Sequence, residues 1–231
     1  MDLNDPHNMG KSRNLRFVNR VFTPNEQDLI FDSAKPDTMV WALWAGKETA
    51  YKIINKCYPS ASSVPRLYTV HLDQRDENSN SVDFPEAGST ISGSVDTPHG
   101  IVYIKIFITS DYVHCVGTTS SLEEIGSLVW HVDRISPDSE LISDYESTFV
   151  RKALKRRLLA YCNRDTKDID IRREKGPHGL GPPFVCINGT QAEIDISLSH
   201  DGVFTAYAFV ENDARTMNVN PESDLSKIDF Q

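Results

Sequence analysis

The sequence predicts an α+β chain built as two lobes of similar make-up, residues 1–125 and 126–231, each a small antiparallel sheet packed with helices. Three observations predict it. Helical and strand-like patterns are both strong and occupy separate stretches. Their order, helix–helix–strands, is followed by a second helix–strands set. The 231 residues, with 39% hydrophobic side chains, suffice to bury a core in one to two domains. Two copies are too few, and their period too long, for a solenoid. A degenerate tandem duplication is the alternative. It is supported by the match of Trp44–Glu48 with Phe149–Ala153, and of Tyr112-Val113-His114 with Leu198-Ser199-His200.

Residues 1–20 carry a basic cluster, Lys11, Arg13, Arg16 and Arg20. Thr23-Pro24-Asn25-Glu26 then starts a helix. Thr23 can cap, Pro24 suits the first position, and Glu26 completes a capping box. This helix ends near Asp32, and Pro36-Asp37 restarts the chain. From Thr38 to Lys56, Val40, Leu43, Trp44, Tyr51 and Ile54 recur at helical spacing. Val64–Leu72 has β character. Residues 73–98 are polar and read as a long loop or a weak hairpin. Ile101–Ile108 is β-branched and strand-like, with Tyr112–Thr118 as its hairpin partner. In the second half, Ser143-Asp144-Tyr145-Glu146 is a capping box for a helix to about Cys162. Strands are expected at Ile169–Arg173, Phe184–Ile187, Glu193–Ser199 and Val203–Val210. The polar tail after Glu211 reads as frayed.

Charge and composition exclude several classes. Lys+Arg is 24 and Asp+Glu is 33, a net charge of −9. That balance disfavours nucleic acid as a partner, because such binding is driven by phosphate neutralisation. The longest apolar run falls far short of the roughly 18 residues of a membrane span. Met1–Asp5 has neither the basic nor the apolar region of a secretory signal. Cys57, Cys115, Cys162 and Cys186 are widely spaced and read as buried thiols in a reducing cytoplasm.

Three stretches are candidates for chemistry. In Trp44–Lys52, Glu48 and Lys52 lie one helical turn apart, with Trp44 one turn earlier. The carboxylate can hold Mg²⁺ through oxygen. The amine can accept a proton or neutralise phosphate. The alternative is an ordinary surface ion pair. In Ile194–Gly202, alternating residues end in Ser199-His200-Asp201-Gly202, which delivers a hydroxyl and an imidazole at a strand exit. Adjacent strand residues point to opposite faces, so Ser199 and His200 are not by themselves a nucleophile–base couple. In Phe149–Arg157, five of nine residues are basic, and Arg151 and Lys155 could clamp a phosphate. The alternative there is a solvated basic face.

Together these stretches resemble the 4′-phosphopantetheinyl transferase superfamily. Trp44-Ala45-Gly46-Lys47-Glu48-Thr49-Ala50-Tyr51-Lys52 resembles its W/F-x-x-K-E-A-x-x-K helix, with Thr49 in the alanine place. Ser197-Leu198-Ser199-His200 resembles its S-x-S-H strand. Arg16–Thr23 resembles the R-F-x-x-R-V-L-T segment of holo-acyl-carrier-protein synthases. Phe149–Arg151 through Ile169–Ile171 to Gly176-Pro177 resembles the first lobe of the two-lobed transferases.

The resemblance implies Mg²⁺-dependent transfer of the phosphopantetheine arm of coenzyme A to a serine of an apo acyl or peptidyl carrier protein. Adenosine 3′,5′-bisphosphate leaves. It implies fatty acid biosynthesis as the setting, the cytoplasm as the location, and no membrane partner. By position, Glu48 and Asp2 would be metal ligands. Glu48 and Lys52 would be catalytic, with Glu48, a water or Lys52 preparing the serine hydroxyl. Lys47, Lys52, Arg151, Ser199 and His200 would bind coenzyme A. Arg13, Arg16 and Arg20 would meet the acidic carrier helix. The motif order implies two fused transferase-like lobes related by a pseudo-twofold, one site at their interface, and a self-sufficient monomer. His114 and Lys152-Ala153 would be decayed counterparts. The family's first metal-ligand Asp would lie before Met1. The alternative function is therefore a catalytically impaired coenzyme A- or carrier-binding homologue.

Overall fold

The computed structural model of the chain describes residues 1–73, 88–135, 145–161, 168–176 and 179–210. They belong to two units, Met1–Gly126 and Ser127–Phe230. Both mix α-helix with antiparallel strands, so the α+β class holds.

The first unit opens with a 3-10 turn at Lys11–Arg13 and helix α1, Leu15–Val21. The apolar pattern of residues 1–20 does not by itself predict this helix. Its signal is Asn14, whose side chain accepts the Phe17 N–H at 3.1 Å. Helix α2 spans Pro24–Asp32, and Glu26 Oε2 accepts the Thr23 N–H at 2.7 Å, as a capping box requires. Helix α3 spans Pro36–Cys57. Asp37 in its first turn accepts the N–H groups of Gly10 and Ser12, both at 2.8 Å, which pins the basic segment to the helix start. A four-stranded sheet follows in the order β1 (Thr69–Leu72), β2 (Ser89–Thr97), β3 (Gly100–Ile108), β4 (Val113–Thr118).

Helix α3 is buried on most of its surface, from Met39 and Val40 through Leu43 to Ile53 and Ile54. It lies against β3 and β4. Gly46 permits that approach: a Cβ there would come within 3.1 Å of Ile104 Cδ1. Val102, Ile104, Ile106 and Ile108 form the buried stripe of β3. The first residues join the sheet too. Leu3 N donates to Asp111 O at 2.8 Å, and Val113 N donates to Met1 O at 2.9 Å.

Two expectations for this unit need correction. Of the two readings of residues 73–98, a long loop or a weak hairpin, the loop fails for residues 89–97, which are a strand. Their Ser- and Gly-rich composition has little strand preference, but β2 pairs on both edges, with β1 and with β3. Gly93 is essential there, since a Cβ would fall 2.3 Å from His71 O. Within Val64–Leu72 only Thr69–Leu72 is strand, because Pro65 opens a 3-10 turn through Leu67.

One buried ion pair ties α2, α3 and β1 together. Lys47 Nζ lies 2.8 Å from Glu26 Oε1, with the two side chains 2% and 0% exposed. Lys47 also donates to the carbonyls of Tyr68 and Pro65, and lies over the Phe22 ring. Its three N–H groups thus meet three oxygens. Glu26 Oε1 in turn accepts the Val70 N–H at 2.8 Å. Burial pushes the Lys47 ammonium below its ordinary pKa, and Glu26 opposes that shift.

The second unit has β5 (Leu128–Arg134), α4 (Tyr145–Tyr161), β6 (Ile169–Gly176), β7 (Gly179–Ile187), β8 (Thr190–Gln191), β9 (Ile196–Asp201) and β10 (Phe204–Val210). The strands form two three-stranded sheets, β5-β10-β9 and β6-β7-β8, rather than the single sheet expected. Helix α4 packs Val150, Leu154 and Leu158 into a cluster with Ile169, Val185, Ile196 and Phe209. Strand β5 is an addition to the strands that the sequence predicts. It pairs along the whole of β10, from Leu128↔Val210 to Arg134↔Phe204. Glu193–Asp195 lies outside β9, which begins at Ile196. The capping pair Ser143-Asp144, Cys162, Pro177-His178 and the tail after Val210 lie outside the described residues. Cys115 and Cys186 are buried free thiols, but Cys57, at the end of α3, is exposed.

Two outcomes follow. Glu26→Ala or Lys47→Ala should cost about 3–5 kcal/mol in urea denaturation, the cost of leaving one charge of a buried pair. Glu26→Leu combined with Lys47→Met should recover only part, because the Thr23 and Val70 N–H groups lose their acceptor. His114 on β4 is buried, and burial pushes its pKa down to about 3. The unfolded chain therefore takes up a proton near its ordinary value that the fold refuses. Stability should fall as pH drops through that window, by about 2 kcal/mol at pH 5 relative to neutrality. The urea midpoint of His114→Gln should lack that part of the loss.

Candidate active site

Turning Lys47 inward decides which way its neighbours face. From Trp44 onward the less buried positions of α3 are Trp44, Glu48, Tyr51, Lys52, Asn55 and Lys56, a stripe at helical spacing, with Cys57 exposed at the helix end. Lys52 Nζ lies 3.1 Å from Glu48 Oε1, with side chains 26% and 34% exposed. Trp44 Nε1 donates to Glu48 Oε2 at 3.0 Å. The carboxylate is therefore oriented from both oxygens and still open to solvent. Burial alone would raise its pKa. The Lys52 charge and the hydrogen bonds from Lys52 and Trp44 outweigh burial and hold it below the usual carboxylate value. Glu48 is thus ionised at neutral pH, as a metal ligand or phosphate-facing base must be.

Asp2 is buried beside β4, in an isolated bridge to Tyr112. Its Oδ1 accepts the Asn4 N–H at 2.9 Å. The side chains of Glu48 and Asp2 are carboxylates, and carboxylate oxygens are the donor chemistry Mg²⁺ takes. Among the described residues no group of three or more His, Cys, Asp or Glu stands ready for a metal. Mg²⁺ in general needs few protein carboxylates, since it fills much of its shell with water and substrate phosphate.

Lys47 departs from its expected role. All its donors are engaged inside the first unit, which leaves none for coenzyme A. The residue that sequence reasoning undervalued is Glu26. It was legible as a cap, but its second oxygen and its burial were not.

The basic segment is exposed as expected. Arg16 and Arg20 lie one turn apart on α1, Arg13 precedes them in the 3-10 turn, and Leu15 between them is 60% exposed. Arg66 donates to Asn19 O at 3.3 Å and so stands beside the same helix.

In the second unit, Ser199 and His200 lie on β9, opposite Ala206 and Thr205 of β10. Ser199 is half-buried and His200 exposed, consistent with opposite faces. Arg151 lies on α4, half-buried, and its Nε is enclosed without a hydrogen-bond partner among the described residues.

No helix among the described residues is long and apolar enough to cross a membrane. No curated protein and no solved structure gives a significant match to the chain. A family model for the 4′-phosphopantetheinyl transferase superfamily matches residues 1–115, the stretch that holds Asp2, the arginine helix and the Trp44–Glu48–Lys52 face. Over residues 1–115 the chain therefore belongs to the 4′-phosphopantetheinyl transferase superfamily.

Proposed function

We propose that the protein is a holo-acyl-carrier-protein synthase type transferase, moving the phosphopantetheine arm of coenzyme A to a serine of an apo carrier protein. The observation that carries this reading is the open Trp44–Glu48–Lys52 face on a helix whose other side is locked by Lys47. Family membership of the same stretch supports it.

In the reaction the serine oxygen forms a bond to the phosphorus of the pantetheine side. The pyrophosphate bridge breaks, and adenosine 3′,5′-bisphosphate departs with its electron pair. The serine proton must pass to a base. Glu48, directly or through a water, and Lys52 are the candidates on this face. Lys52 also places positive charge where phosphate oxygens gain negative charge. Glu48 and Asp2 would hold Mg²⁺, which, when bound, neutralises pyrophosphate charge. Ser199, His200 and Arg151 would bind the bisphosphate end of coenzyme A. Arg13, Arg16 and Arg20 would receive an acidic carrier helix, with Leu15 as an apolar contact between them.

Purified protein incubated with coenzyme A, Mg²⁺ and several apo carriers should add the phosphopantetheine mass to at least one of them. Glu48→Gln should slow this about a hundredfold or more. No mass gain on any carrier would overturn the reading. Arg16→Glu should raise KM for the carrier about tenfold while leaving coenzyme A affinity unchanged. An equal loss toward both would move Arg16 out of the docking surface.

A further inference from the structure

We propose that Phe17 on α1 is a positioning residue for Glu48, acting through the Trp44 indole. What Glu48 is positioned for rests on the transferase reading above; the contacts themselves rest on the structure of the first unit.

A glutamate on an open helix face turns about several side-chain bonds, so its oxygens are placed only as well as their partners are. Lys52, with its Nζ 3.1 Å from Glu48 Oε1, is a partner on a long, flexible stem. The stiffer partner is Trp44, whose Nε1 donates to Oε2 at 3.0 Å. An indole carries its N–H on a rigid ring. Whatever holds that ring therefore holds the carboxylate.

The ring of Phe17 lies against it, with centroids 6.1 Å apart and planes tilted by 42°. Phe17 is itself anchored at backbone and side chain. Its N–H is accepted by the Asn14 cap at 3.1 Å. Its ring meets Phe22 edge-on at 6.0 Å and Trp41 at 6.2 Å. Trp41 is tied down in turn, since its indole N–H is donated to Asn8 O at 2.9 Å.

Phe17 stands between Arg16 and Arg20, which are exposed while it is half-buried. Helix α1 thus presents cations outward and a ring inward. The helix that would receive the carrier is the same helix that fixes the carboxylate through Trp44. A small displacement of a reacting group is costly to rate, so this contact bears on turnover rather than on docking.

The chain has three tryptophans, so ¹⁵N labelling of the full chain gives one indole N–H resonance for each, and Trp44→Phe identifies that of Trp44. In Phe17→Leu, solvent exchange of the Trp44 indole N–H should speed up about tenfold or more, and Phe17→Tyr should keep it within about twofold. Unchanged exchange in Phe17→Leu would overturn the proposal, and so would equal acceleration of the Trp130 indole, which lies in the second unit. In the transfer assay, Phe17→Leu and Trp44→Phe should each lower kcat about tenfold with KM for the carrier within about twofold, and the double variant should lose no more than either alone. Losses that multiply, or a loss confined to carrier KM, would overturn the proposal, because Phe17 would then act apart from Trp44. Absence of transfer by the unmodified chain would overturn the transferase reading alone, and the indole exchange would still decide the positioning.

Discussion

A lysine and a glutamate hidden from water set the frame for the first unit. Glu26 is committed to its helix start, to the first sheet strand and to Lys47, while Lys47 also bonds the turn before that strand. Neither charge is tolerable alone in a dry interior, so α2, α3 and β1 must assemble together. The helix then has no rotational freedom left. With residue 47 inward, the 3.6-residue repeat turns 44, 48 and 52 toward the less buried side. Structural and chemical roles on α3 are thus two faces of one decision.

That decision was half visible in the sequence. The run from Val40 to Ile54 is strongly periodic, and helix α3 follows it closely. Ile101–Ile108 was equally legible, because β-branched residues in a run have few alternatives. Strand β2 was not, since its stability comes from neighbours on both edges rather than from Ser, Gly and Thr themselves. Lys47 reads as a coenzyme A-binding residue because a motif records which residues recur, not which way they turn. Glu26 read only as a cap because a local signal accounted for it fully. Its reach to residue 70 is tertiary information.

The second unit teaches the same lesson through charge. Spacing alone made Arg151 and Lys155 a pair, but Asp168 claims the lysine. A charge run on a helix says how many cations exist, and only the packed strands show which are already matched. Strand β5 was overlooked although Leu128-Val129-Trp130-His131-Val132 is rich in strand-forming residues. Its buried partner β10 was the louder signal.

The account stands on the idea that Glu48 meets a metal-bound pyrophosphate rather than merely decorating a helix. The most direct measurement is coenzyme A affinity with and without Mg²⁺, for the unmodified chain and for Glu48→Gln. Tighter binding with Mg²⁺ that disappears in the variant is the expected result. Binding indifferent to Mg²⁺ in both proteins would contradict it, and would favour a binding homologue without transfer.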